Sequence, residues 1–291
     1  TYGAILSADL WKQMLIIKNK NMLKNEITEN EALSIARVSG STFVNADCFD
    51  VFPFIEDKSI DAIICDLPYG TTACKWDTII PFDKLWEQYE RIIKPNGAIV
   101  LFGSEPFSSA LRMSNIKNYK YDWIWDKKQS TGGLTAKKRP MKAHEDIMVF
   151  NSKFYFPVMG GWTEKEKGRM RKSDYIGLNN KGEHLKNATL IIDGKDKKIE
   201  RGKYPQSLIR INGIAKCSKK EKREHPTQKP VELMEYLIKT YTNEGDMVLD
   251  NTMGSGTTNL ACIKLNRKSI GIEKEKQYYD VAVRRALQYC H

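Results

Sequence analysis

The chain has 291 residues, 41% of them hydrophobic and 10% aromatic, which suffices for one sizeable core plus a second small module or a long insertion. This composition excludes a disordered chain; no apolar run approaches bilayer-spanning length, and Lys and Asn interrupt residues 1–30, so a signal-peptide pattern is missing. The formal charge of +11 is unevenly spread: residues 151–224 hold 19 Lys and Arg against 9 Asp and Glu, and residues 126–150 hold 6 against 3, so the remainder is slightly acidic.

Residues 1–40 read as a polar, helical extension. Thr28-Glu29-Asn30-Glu31 has capping-box spacing, which predicts a short helix to about Val38, ended near Gly40. Residues 41–150 alternate strands and helices. An apolar run at 59–65 predicts a strand buried on both faces, and Phe82 to Ile93 places Leu85, Trp86 and Tyr89 at helical spacing. Pro95-Asn96-Gly97 breaks that helix before a strand at 98–102; a helix at about 106–115 and strands at 121–125 and 146–150 follow. Such alternation implies a parallel sheet.

The rhythm is lost at 151–224, which is rich in Lys, Gly and Asn with short apolar runs such as Thr189–Ile192. Its charge fits a polyphosphate partner, and it fits a solvated Lys-rich insertion equally well. Order returns at 225–291: helix 231–241, strand 247–250, a glycine turn at 254–256, helix 257–265, strand 269–272 and helix 277–289. Six cysteines, at 48, 65, 74, 217, 262 and 290, include no C-x-x-C pair, so neither a zinc site nor a disulfide framework is expected and a reducing cytoplasm is the expected compartment.

Three stretches carry chemistry. In Asp250-Asn251-Thr252-Met253-Gly254-Ser255-Gly256-Thr257-Thr258, glycines after a strand let the backbone turn sharply against a ligand, with helix N–H groups facing it. No Lys follows, which excludes a nucleoside-triphosphate P-loop. Some twenty residues on, Gly271-Ile272-Glu273 puts an acid at a strand end, where it can accept from both ribose hydroxyls of a nucleoside. Alone, this pattern also suits a nicotinamide-type fold or an ordinary strand–helix turn.

The second stretch is Asp66-Leu67-Pro68-Tyr69-Gly70, at the carboxyl end of strand 59–65, where open α/β sheets place catalytic groups. It suits methylation of an amino group attached to a base. The lone pair of such a nitrogen is delocalised into the ring. Acceptors on its two hydrogens, the Asp66 carboxylate and the Leu67 carbonyl, favour a tetrahedral nitrogen; Pro68 stiffens the backbone and Tyr69 can stack on an extruded base. The same residues also favour a plain turn. The third stretch, His225-Pro226-Thr227-Gln228-Lys229-Pro230, is a rigid lead into helix 231–241.

Together, in this order, the three resemble the adenine-N6/cytosine-N4 amino-methyltransferases of DNA, and more narrowly their β-class, in which the catalytic motif comes first and the cofactor glycines last. The resemblance covers roughly 42–150 and 225–291. It implies a Rossmann-like, S-adenosylmethionine-dependent methyltransferase fold, circularly permuted, whose seven-stranded sheet is completed by joining the C-terminal β-α-β unit to the N-terminal strands. Residues 151–224 would be a basic, DNA-reading insertion.

Carried over by position, Asp66, Leu67, Pro68 and Tyr69 form the catalytic motif, with Leu67 where the family frequently has proline. Asp250, Gly254, Gly256 and Thr257 match the cofactor loop, Glu273 the ribose-binding acid, Asp47 the adenine contact, and Lys229 the segment that closes over the methionine end. Asn251-Thr252-Met253 departs from the proline and phenylalanine common there. Asp at the first catalytic position leans toward adenine. Lys137, Lys138, Arg139 and Lys142 are candidate phosphate clamps near the target base. Trp76, Trp123, Trp125 and Trp162 are expected mainly in cores, and His144 and Glu145 in structural roles.

The implied substrate is double-stranded DNA, with no metal required. A cognate restriction nuclease and a homodimer remain open. The rival readings are a cytosine-N4 enzyme, an RNA methyltransferase, and a non-catalytic nucleic-acid-binding relative.

Overall fold

The computed structural model describes residues 26–30, 33–71, 74, 77–160, 203–214 and 223–290, together with short strands at 175–178, 184–186, 190–192, 195–197 and 199–200. Two compact units are distinguished: residues 1–156 with 207–291, and Pro157–Gln206.

In the first unit the early strands are β1 (Glu26–Asn30), β2 (Leu33–Val38), β3 (Ser41–Asn45), β4 (Ile60–Cys65), β5 (Ile93–Gly103), β6 (Tyr119–Thr131) and β7 (Lys142–Phe150). The second unit contains β8 (Tyr175–Leu178), β9 (His184–Lys186), β10 (Leu190–Ile192), β11 (Lys195–Lys197) and β12 (Ile199–Glu200), arranged as a three-stranded sheet β12-β8-β9 and a β10–β11 pair. The first unit resumes with β13 (Leu208–Arg210), β14 (Met247–Asp250) and β15 (Lys268–Glu273). The compact second unit is narrower than the basic stretch 151–224: Phe156 donates to Thr240 O at 2.8 Å, and β13 pairs with β6, both within the first unit.

The ten strands of the first unit form one sheet in the order β1-β2-β3-β15-β14-β4-β5-β7-β6-β13. The expected joining of chain ends is present. β14 pairs in parallel with β4 (Val248↔Ala62, Leu249↔Ile63), and β15 with β3 (Ser269↔Ser41 through Glu273↔Asn45). Seven strands, from β3 to β6 in that order, make the methyltransferase sheet, with β7 the one antiparallel to its neighbours.

Helices cover both faces. On one, α2 (Phe82–Ile92) and α3 (Phe107–Ser114) bury Leu85, Trp86, Tyr89 and Leu111 against Ile63, Cys65 and Leu101. On the other, α4 (Val231–Tyr241) and α5 (Thr257–Lys264) bury Leu233, Leu237 and Leu260 against Ala62, Ile64 and Val100, while α6 (Lys276–Cys290) packs Ala282 and Val283 on Phe43. Burial on both faces is why β4 reads as an unbroken apolar run rather than an alternation. A single turn of helix, α1 (Cys48–Val51), follows β3.

One expectation is corrected. Residues 28–30 and 33–38 are strand, not helix: β1 and β2 form an antiparallel pair, and β2 extends the sheet on β3. Ile35, Ala36 and Val38 have a spacing that also suits a helix, but Ile35 packs on one side of the sheet and Ala36 and Val38 on the other. Pairing with a preformed strand edge outweighs the local capping signal. The expected helical extension before residue 26 lies outside the described residues.

Because β3, β15, β14 and β4 run parallel, the residues that follow them all emerge at one carboxyl-terminal edge: Asp47, Glu273, the 251–256 loop and Asp66. The sheet thus places the site.

Candidate active site

The proline at 68 keeps Leu67 out of helical backbone, so the chain leaves β4 extended before it turns at Gly70, whose φ is 67°. Buried Asp77 holds that turn, accepting the Gly70 N–H on Oδ1 and the Thr71 N–H on Oδ2, both at 2.9 Å. Tyr69 lies against Phe107, ring centroids 5.0 Å apart, and its hydroxyl donates to Asp66 Oδ1 at 2.6 Å. Burial, and next the charge of Asp66, keep the Tyr69 phenol protonated and able to donate.

The other oxygen, Asp66 Oδ2, is ion-paired with the Lys229 ammonium, which also lies 3.3 Å from Glu145 Oε2. Glu145 in turn pairs with Lys127 at 3.2 Å through Oε1. The Lys229 side chain is only 6% exposed and that of Asp66 19%, so water screens this chain of charges weakly. Burial raises the Asp66 carboxyl, against the opposing pull of Lys229. Burial also pushes Glu145 up, yet Lys229 and Lys127 outweigh it and hold the group below its ordinary value. Lys229 is held above its ordinary value because Asp66 and Glu145 outweigh its burial. The Lys229 cation therefore sits against Asp66 of the expected catalytic motif. Nothing in the sequence around Glu145 marks it; its partner is 84 residues away.

The residues expected to form the cofactor loop gather beside this group. Thr252 Oγ1 donates to the Asp66 carbonyl at 3.1 Å, and Asn251 Oδ1 accepts from Cys65 at 3.0 Å and from Tyr89 at 2.5 Å. The sequence departures Asn251 and Thr252 thus tie the glycine loop to the strand bearing Asp66. Asp250, raised to about 7 chiefly by burial, accepts from Thr258 Oγ1 at 2.6 Å and from the Thr252 N–H at 3.2 Å. It braces the loop from within. Gly256, φ 72°, sits at the N-terminus of α5, and the Thr257 hydroxyl is engaged by Arg285 at 3.2 Å.

Glu273 receives the Gly254 N–H on Oε2 at 2.9 Å and the Glu275 N–H on Oε1 at 2.8 Å, so each oxygen retains a lone pair for a further donor. Asp47 emerges next to it: Asn45 Nδ2 and the Ala46 N–H both donate to the Glu273 carbonyl. Asp47 Oδ1 caps α1 through the Phe49 N–H, and Oδ2 pairs with Lys274 at 3.1 Å.

His225 roofs the loop, its ring 3.7 Å from where a Cβ on Gly254 would stand and edge-on to Tyr278. Its Nδ1 accepts from the Thr227 N–H at 3.3 Å, which requires a neutral ring. Burial, then Lys229 and Arg223, lower its pKa from 6.5 to about 4. A depressed folded value means that the native state resists protonation. Stability from this group is complete above pH 6.5 and is lost as pH falls toward 4, by about 3 kcal/mol in all. Melting curves between pH 7.5 and 4.5 should therefore show a shallower acid decline for His225→Gln than for the wild type. Identical declines would refute the assignment.

Of the proposed phosphate clamps, Lys137, Lys138 and Arg139 are exposed in the connection between β6 and β7, and Lys142 Nζ contacts Ser104 Oγ. That connection lies at the Asp66 edge, since Gly103 at the end of β5 pairs with Asp146 near the start of β7. Trp123 and Trp125 are core residues, donating to Tyr241 Oη and Ile211 O. Trp76 and Trp162 lie outside the described residues.

Comparison with known proteins agrees with this geometry. The N6/N4 methyltransferase model of DNA methylases matches residues 60–284. The Type II methyltransferase M.HpaI of Haemophilus parainfluenzae is 31% identical over 247 residues, 79% of this chain and 69% of its own. M2.LlaDCHI of Lactococcus lactis subsp. cremoris, also a Type II methyltransferase, is 28% identical, covering 83% and 87%. Among solved structures, the M1.HpyAVI–SAM complex shares 26% identity at a TM-score of 0.50, covering 83% of this chain and 97% of that one. PvuII DNA methyltransferase (cytosine-N4-specific) superposes at a TM-score of 0.58, covering 85% and 86%; at 14% identity that likeness concerns the fold. The strand that bears Asp66 and a glycine loop joined at one sheet edge, with a family model spanning both, lead to one conclusion: the chain belongs to the N6/N4 methyltransferase family of DNA methylases.

Proposed function

We propose that this enzyme methylates the exocyclic N6 amino group of adenine in double-stranded DNA, using S-adenosylmethionine. The observation that carries the reading is the Thr252–Asp66 hydrogen bond, which couples the loop that would hold the cofactor to the residue that would hold the amino group. The loop's residues fit the cofactor. Glu273 keeps acceptor capacity for ribose hydroxyls, Asp47 stands beside it for the adenine, and Gly254 and Gly256 allow close backbone approach. Lys229 closes the same edge from the α4 side.

When bound, S-adenosylmethionine supplies an electrophilic methyl group on a sulfonium. The chain's own work is on the nucleophile. The Asp66 carboxylate and the Leu67 carbonyl accept the two amino hydrogens, which withdraws the nitrogen lone pair from ring conjugation and aims it. After alkylation the nitrogen sheds one proton, and Asp66, raised by burial, would receive it. Tyr69 offers a face for the extruded base. The resemblance supports adenine over cytosine, since Asp66 rather than a serine stands at the first position of the motif.

The relatives named Type II methyltransferases support a place in restriction–modification. The basic stretch 151–224 and Lys137, Lys138, Arg139 and Lys142 would supply contacts to the phosphate backbone. Enzymatic hydrolysis of DNA methylated by the purified enzyme tests the base assignment. N6-methyl-2′-deoxyadenosine as the modified nucleoside is the expected product; N4-methyl-2′-deoxycytidine would overturn it.

A further inference from the structure

In this structure both oxygens of Asp66 are engaged, Oδ1 by the Tyr69 hydroxyl and Oδ2 by the Lys229 ammonium. Each oxygen keeps a second lone pair, yet a target amino group bonded at Oδ2 would stand beside the Lys229 cation. If Lys229 stayed, a positive charge would face the nitrogen as that nitrogen itself becomes positive, which opposes transfer. The ammonium is buried, so water cannot take it over. A second anion must receive it.

One stands ready. Glu145 Oε2 is 3.3 Å from Lys229 Nζ, buried, and among the described residues has no hydrogen bond, while Oε1 is anchored by Lys127. Glu145 sits on β7 opposite the buried Trp125 of β6, and Lys127 anchors its other oxygen, so its carboxylate is held in place rather than recruited from solvent.

We propose that Glu145 is a positioning residue for methyl transfer: it takes the Lys229 ammonium from Asp66 when the target amino group arrives. Before that moment Lys229 keeps Asp66 ionised; afterwards the Lys229–Glu145 pair leaves Oδ2 to the amino hydrogen with no cation beside it. No bond is made or broken in this handover, only an ion pair exchanged. The inference rests on the methyl-transfer reading above.

The test compares wild type, Glu145→Gln, Glu145→Asp, Lys229→Met and the Glu145→Gln/Lys229→Met double variant. Each is assayed for single-turnover transfer of tritiated methyl to plasmid DNA, for S-adenosylmethionine affinity by calorimetry, and for Tm. Glu145→Gln should slow transfer about 10- to 100-fold, the size of one lost charge-assisted hydrogen bond. Cofactor affinity should stay within about 2-fold, and Glu145→Asp should recover part of the rate. In the Lys229→Met background the same change should matter less than about 3-fold, because its only partner in the handover is gone.

A Glu145→Gln enzyme as fast as an active wild type, or an equal loss in both backgrounds, would overturn the handover and leave the methyl-transfer reading intact. An inert wild-type protein would overturn both.

Discussion

Replacing Asp66 with alanine should lower the rate of methyl transfer about 10³-fold or more while leaving S-adenosylmethionine affinity within a few-fold. The separation of the two effects follows from which atoms of Asp66 are used. The carbonyl that accepts from Thr252 Oγ1 is backbone and survives the substitution, so the glycine loop keeps its tie to β4. The carboxylate is lost, and with it the acceptor that frees the amino lone pair. Folding should survive, because Lys229 retains Glu145 within 3.3 Å and is not left as an unpaired buried cation. Asp66→Asn sharpens the test, since it keeps one acceptor oxygen and the shape but removes the charge. Transfer of labelled methyl to DNA, measured beside calorimetric titration with the cofactor, decides the matter. Activity within tenfold of wild type in Asp66→Ala would remove Asp66 from the mechanism.

The residues that could be read from the sequence are those whose neighbours in the chain explain them. β4 and β14 appear as short apolar runs because helices cover both faces of the sheet, and α4 begins after Pro230 because proline suits a first helical turn. Pro95-Asn96-Gly97 reads as an interruption; the structure places it inside β5 as an irregularity, where the pairing jumps from Ile60↔Ile93 to Ala62↔Ala98. Residues 33–38 were illegible for the opposite reason. Their strand exists because β3 offers an edge, which no local pattern announces.

The site divides in the same way. Asp66 and Glu273 belong to strand exits and can be found from the strands. Glu145 acquires its chemistry from Lys229, 84 residues on, and from Lys127, Lys229 from Asp66 and Glu145, and Asn251 from Cys65 and Tyr89 on two other elements. Charge in a strand or a polar residue in a loop is common enough that sequence alone assigns it to structure. The burial that turns such a residue into a strong electrostatic partner is a property of the assembled sheet.

The glycine loop supplies the second large expected effect, and its two glycines should differ. Both have positive φ, 52° at Gly254 and 72° at Gly256, so alanine at either carries left-handed strain of about 1–2 kcal/mol. At Gly254 the new Cβ would meet the His225 ring at 3.7 Å, an ordinary contact. At Gly256 it would stand 2.7 Å from the Ala282 Cβ and 3.2 Å from the Ala282 Cα on α6, so a helix backbone must retreat. Overpacking of that kind costs about 1–3 kcal/mol more. A combined penalty of about 3 kcal/mol should lower Tm by about 6–12 °C for Gly256→Ala, against a few degrees for Gly254→Ala. Where the protein absorbs the strain by shifting the loop instead, the loss moves to cofactor affinity, about 100-fold for the same energy. Either way the order is fixed by Ala282. Trimming the obstacle with Ala282→Gly should return a large part of what Gly256→Ala takes away, and should do nothing for Gly254→Ala. Equal penalties at the two glycines, or no rescue by Ala282→Gly, would mean that α6 does not constrain the loop as its packing implies.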